Sequence, residues 1–166
     1  MKKGTRFVAA SLTAAAFLFS PAVPPAFASP TPQQLTMEQN KVVKLDGDIH
    51  KIMRVLKAST SELRHRAQTM SDTERATTQK NLLKFHEEIK KAQTLRGEIE
   101  DYHTLYYAAQ AKKDYSKMHS VLILLVEKKT EQLAALQSAH AEIEAEVKRV
   151  RQLKPVPPSE HGPKHL

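Results

Sequence analysis

Histidine and carboxylate are the residue types in this chain that could do chemistry. Eight histidines are spread along it, and Asp46-Gly47-Asp48-x-His50 places two carboxylates beside an imidazole. Together these groups suggest a metal site or general acid–base work. The spacing does not deliver either. There is no HExxH motif, no His pair stands at i, i+4 within the proline-free body, and on a helix the Asp46, Asp48 and His50 side chains splay instead of converging. Zero cysteines exclude thiol catalysis, thiolate metal sites and disulfide staples. No nucleophile elbow, Ser-His-Asp order or carboxylate pair can be assembled, so the sequence reads as non-enzymatic, with no cofactor and no metal. Two histidines keep a chemical interest. His103 and His140 fall at or near the apolar seam described below, where a titrating imidazole would loosen packing when charged.

The elements that must position these residues are helices. All nine prolines lie at 21–32 or 155–163, which leaves Gln33 to Lys154 free of the strongest helix breaker. Three segments in that body carry apolar residues at helical spacing. The first runs Val42, Leu45, Ile49, Ile52, Leu56, Leu63, Met70; the second Leu82, Phe85, Ile89, Ala92, Ile99, Tyr106; the third Leu122, Val126, Leu133, Leu136, Ile143, Val147, Val150. The predicted fold is all-α, an elongated antiparallel three-helix bundle or coiled coil with helices over 36–70, 72–110 and 115–153. Thr36 to Gln39 and Ser71 to Glu74 fit the capping box, and Asp114 or Ser116 would start the third helix. In the antiparallel register Leu56 faces Phe85, Ile52 faces Ile89, Ile99 faces Leu125, Tyr106 faces Met118, and His140 faces Phe85. Arg96 and Lys129 interrupt the seam at one level, predicting a solvated waist compensated by Glu98, Glu100, Glu127 and Glu131. Gly47 is either a tolerated surface glycine or a hinge.

Residues 1–28 read as a secretory signal: Lys2, Lys3 and Arg6, then the apolar run Phe7 to Phe19, then Ala26-Phe27-Ala28 for cleavage. Export to the periplasm or the exterior follows, with a proline-containing arm over 29–35, the helical domain over 36–154 and a flexible basic tail over 155–166. The chain carries a formal charge of +8, of which Lys2, Lys3 and Arg6 supply three, so +5 stays with the exported part. That balance, with both signs interleaved, argues against nucleic acid and leaves room for weak contact with an anionic envelope polymer or lipid. The basic face of the first helix, Lys51, Arg54, Lys57 and Arg64, would carry it.

One stretch stands apart: Val121-Leu122-Ile123-Leu124-Leu125-Val126, an unbroken apolar run too short to span a membrane. A helix turning 100° per residue puts Leu122, Leu125 and Val126 into the seam and turns Ile123 and Leu124 outward. Val121, Ile123 and Leu124, ringed by Lys117 and Lys128, are therefore the expected partner-binding surface, for a protein partner, a client or a second copy in a homodimer. The alternative is a structural, self-associating coiled coil of the envelope or secreted matrix.

The first helix opens with Leu35-Thr36-x-x-Gln39 after an export signal, in a small, basic, cysteine-free, helical chain. That combination resembles the Spy/CpxP-like periplasmic proteins named for their LTxxQ motif. The resemblance covers five residues, and the second copy of the motif is replaced by the degenerate Met70-Ser71-Asp72-Thr73-Glu74. It implies an ATP-independent chaperone or envelope-stress adaptor that holds unfolded clients on a surface mixing charge with apolar residues.

Overall fold

A computed structural model describes residues 29–154, and every element in it is a helix: α1 (Pro32–Ala67), α2 (Asp72–Asn81), α3 (Leu83–Ala111) and α4 (Tyr115–Arg151). The all-helical expectation holds. The expected signal over 1–28 and the tail over 155–166 lie outside the described residues.

The helix starts show how local chemistry sets boundaries. α1 begins earlier than predicted because Thr31, not Thr36, is its cap. The Thr31 side chain accepts from Gln34 N while the Gln34 side chain accepts from Thr31 N, and Pro32 occupies the first turn, where its missing N–H costs nothing. Most of the expected arm is thus helix. Thr36 sits inside the first turns and its hydroxyl donates back to Pro32 O at 2.9 Å. Ser71 caps α2 by accepting from Glu74 N, and Asp114 caps α4 by accepting from Lys117 N. The turn before α4 is closed by Lys113 at φ 55°, a left-handed residue that no glycine supplies.

The predicted second helix is interrupted at Leu82, whose φ of −88° and ψ of 3° leave the helical basin. α2 has no large apolar residue and buries only Thr78. It is held instead by Arg149 of α4, which donates to Glu74 at 2.7 Å, to Thr78 Oγ1 at 2.9 Å and to Glu146 at 2.7 Å. Burial pushes the Glu146 carboxyl up, but hydrogen bonds from Arg149, Asn81 and Thr78 outweigh it and hold it below the ordinary value.

α4 is the spine. α1 and α3 each pack along it far more than on each other. Cross-links to α2 and α3 run in opposite residue order, Asn81 to Glu146, Lys84 to Glu142, Glu88 to Ser138. Those to α1 run in the same order, Asp46 to Lys129, Ser59 to Glu144, Glu62 to Arg151. At the last of these, Arg151 and Arg66 together hold the Glu62 carboxyl down at about 2. With a neighbour on each side, α4 buries a wide arc, which includes Leu125 at 1% exposure and Ile143 at 1%.

The apolar interior divides into two clusters. One holds Leu56, Leu63, Ala139, Ile143 and Val147 with Ile52, Phe85 and Ile89; the other holds Leu35, Val42, Ile99, Tyr106, Met118, Leu122 and Leu125. Leu56 with Phe85 and Ile52 with Ile89 share the first cluster, and Ile99 with Leu125 and Tyr106 with Met118 the second; His140, expected opposite Phe85, belongs to neither. Between the clusters lies a polar layer.

Candidate functional site

The polar layer opens into a groove of about 530 Å³ between α1 and α3, with α4 as its floor. It exists because the seam changes character here. On α4 the apolar stripe gives way to Lys129 and Gln132, both buried, and on α3 Gln93 and Arg96 line the side of the groove across from α1. Long polar side chains cannot interdigitate as Leu and Ile do, so at this level the space between α1 and α3 is left unfilled. The walls below are apolar, from Ile49 and Met53 on α1, Ile89 on α3 and Leu136 on α4; the walls above carry Asp46, Arg96, Glu100 and His103.

Lys129 is 4% exposed, yet its ammonium donates to Asp46 Oδ1 across from α1. The predicted waist is therefore present, with two differences. Lys129 is buried instead of reaching solvent, and its compensating carboxylate is Asp46 on α1, not a glutamate of α3 or α4. The reason is position: Asp46 lies directly over the floor, while Glu98 and Glu131 are engaged by Lys128 at 3.4 and 3.3 Å. Arg96 pairs with Glu100 along α3 at 3.0 Å. Gln132 Nε2 donates to Ala92 O at 3.1 Å, which ties the floor to the α3 wall. An ammonium carries three donors, so Lys129 keeps N–H groups beyond the one that Asp46 takes.

His103 is half-buried on the α3 wall and its ring stacks on Tyr107 at 6.3 Å. Burial pulls its pKa below the ordinary value, the nearby Lys129 cation pulls the same way, and Asp46 partly opposes them. The second expected seam histidine lies elsewhere. His140 Nε2 is buried without a hydrogen-bond partner, 3.8 Å from Glu144, which itself accepts from Ser59 of α1. It belongs to the α1 edge of α4 and not to a position opposite Phe85, because the residues two before and two after it, Ser138 and Glu142, are the ones that reach α3.

The expected partner surface is corrected in the same way. Val121 is buried in the upper cluster, Leu124 is half-buried, and of the apolar run only Ile123, at 47%, is exposed. A helix flanked on both sides covers more of its circumference than one seam of a symmetrical bundle, which leaves little surplus. Lys117 is exposed; Lys128 is committed to α3 through Glu98. Of the motif, Leu35 is buried, Thr36 is exposed, and Gln39 Nε2 donates to Tyr106 Oη at 2.7 Å, so these residues fix the start of α1 against α3. On the basic face, Lys51 pairs with Asp48, whereas Arg54, Lys57 and Arg64 enter none of the ion pairs among the described residues. α1 passes through Gly47 unbroken, and a Cβ there would meet nothing within 4 Å, so the glycine is a surface residue and not a break.

Sequence reasoning located Lys129 and Arg96 but missed Asp46, Ile49, Met53, Ile89 and Gln132 as parts of one site. The available signal was the coincidence of polar seam positions at one height on two helices, which in a packed bundle means an opening. No family model, curated protein or solved structure matches this chain.

No helix among the described residues is long and apolar enough to cross a membrane, and no three His, Asp or Glu side chains among them group as a metal site.

Proposed function

We propose that the chain is an exported, non-enzymatic helical binding protein, chaperone-like or an envelope-stress adaptor, whose three legs (α1, α2 with α3, and α4) form an up-down-up bundle. Its partner is a protein, and the contact is the groove between α1 and α3, not the VLILLV run. The observation that carries this reading is the groove itself, in which apolar walls, Met53 at 50% exposure among them, lie beside polar groups with donors to spare. Concave apolar surface with a few convergent polar groups is the form binding sites take. A non-catalytic role is supported by the lining: among the described residues no Ser, Thr or Cys lines the groove with His103, and Lys129 and Arg96 are each engaged by a carboxylate.

The test is suppression of aggregation of a chemically unfolded client by residues 29–166. Met53→Glu is expected to reduce protection strongly while Ile123→Lys leaves it intact. Loss of protection by Ile123→Lys alone would return the site to α4. Absence of protection in every form, with a high-order oligomer in sizing, would favour the self-associating structural reading.

A further inference from the structure

We propose that the groove takes a single amphipathic α-helix of a partner protein, lying beside α1 and α3 as a fourth bundle helix and presenting acidic residues to the α1 rim. The inference rests on the binding-protein reading above and names the chemistry of the partner.

The walls decide the occupant's backbone. Both are helices, whose N–H and C=O groups are consumed by their own i→i−4 bonds, so an extended peptide would find no main-chain partners as it would at a sheet edge. A polyproline segment docks on aromatic rings, and no Phe, Tyr or Trp among the described residues lines the groove. A helical occupant satisfies its backbone internally and needs only places for side chains. The α3 wall from Ile89 to His103 is about 21 Å long at 1.5 Å per residue, about four turns of a matching helix. Apolar side chains at i, i+4 and i+7 of that helix would enter between Met53, Ile89 and Leu136.

The rims decide the occupant's charge. Asp46 and Glu100 are answered within the groove by Lys129 and Arg96. His50, Arg54 and Lys57 fall on one stripe of α1, at i, i+4 and i+7, with His50 lining the groove. Arg54 and Lys57 are exposed and make no ion pair among the described residues. The unanswered charge beside the groove is therefore positive, and complementary charge at a rim sets orientation and association rate.

The experiment titrates the chain 29–166 with fluorescent helical peptides of about 18 residues, long enough to cover the groove. All share one leucine face and carry either Glu or Lys along the flank that would meet α1. The Glu peptide is expected to bind at least about tenfold more tightly than the Lys peptide at low salt, with the gap narrowing as salt rises. Met53→Glu should abolish binding of both, and Arg54→Glu with Lys57→Glu should reverse the preference; both sites are exposed, and circular dichroism confirms that the variants fold. Equal affinity for the two peptides overturns the proposal, as does tighter binding of a proline-substituted extended version or of dodecanoate alone. If peptides fail while Met53→Glu still removes client protection, this inference falls and the binding-protein reading stands.

Discussion

The layer around Ile143 and the layer around Lys129 lie on the same helix, only four turns apart, and solve opposite problems. At Ile143, α4 presents Ala139, Ile143 and Val147, each at most 1% exposed, to neighbours on both sides. Small and branched residues alternate there, and the helices close on apolar side chains, with Ser59 and His140 confined to the α1 edge. At Lys129 the same two neighbours meet a buried ammonium and a buried amide, each of which needs a partner. One comes from Asp46 on α1 and one from the Ala92 carbonyl on α3. The dry layer contributes stability by area removed from water. The waist contributes little net energy, because desolvation of the ion pair offsets its attraction, and leaves the opening in which we place function. Stability and binding are thus assigned to different heights of one bundle.

Substitutions can break that contrast, beginning with the largest effect. Ile143→Ala should lower unfolding free energy by about 3–4 kcal/mol, transfer and cavity terms together, read as a lower urea midpoint at unchanged slope. At the waist, Asp46→Ala leaves Lys129 buried and unpaired and should cost about 2–3 kcal/mol, toward or below the lower end for broken buried pairs because the Asp46 carboxylate is itself 42% exposed. Lys129→Met, by contrast, should be close to neutral or stabilising by about 1 kcal/mol, since a methionine fills the site without desolvating charge. If Lys129→Met were as damaging as Ile143→Ala, the waist would be a source of stability after all. Gly47→Ala, near the waist but on open surface, should raise stability by about 1 kcal/mol. A loss instead would show that α1 uses Gly47 as a hinge.

The sequence made the dry layer legible and the waist only half so. Leu56, Ile143, Val147 and the rest of the lower cluster announce themselves by period, and proline placement bounded the helical body. The start of α1 was misplaced because two overlapping hydroxyl–glutamine signals compete, Thr31 with Gln34 and Thr36 with Gln39, and Pro32 favours the first by fitting the first turn. The break at Leu82 had no signal of its own, since α2's attachment to α4 is an arginine network spanning residues 74 to 149. The over-reading of VLILLV came from placing only Leu122, Leu125 and Val126 in the seam; a central α4 buries Val121 as well as Leu122 and Leu125. Asp46 was visible as a carboxylate, but its partner lies 83 residues away, and no local pattern encodes that distance.

The smallest effect is the most specific to the waist. His103 is neutral-favouring in the folded chain because burial and Lys129 oppose its charge, with Asp46 pulling the other way and Arg96 and Glu100 cancelling along α3. Its folded pKa lies below the ordinary value of 6.5. Above that value both folded and unfolded forms are neutral and His103 contributes no pH dependence. As pH falls through 6.5 the unfolded chain takes the proton first, so stability declines, and the decline stops once the folded imidazole protonates too. Comparing urea midpoints at pH 7.5 and 5.5, His103→Gln should lose less stability on acidification than the parent protein, by a margin of about 0.5 kcal/mol or less at a half-exposed site. An opposite sign at His103 would mean that Asp46 dominates the imidazole's surroundings, and that the buried ammonium is turned away from the α3 wall that we assign to the partner helix.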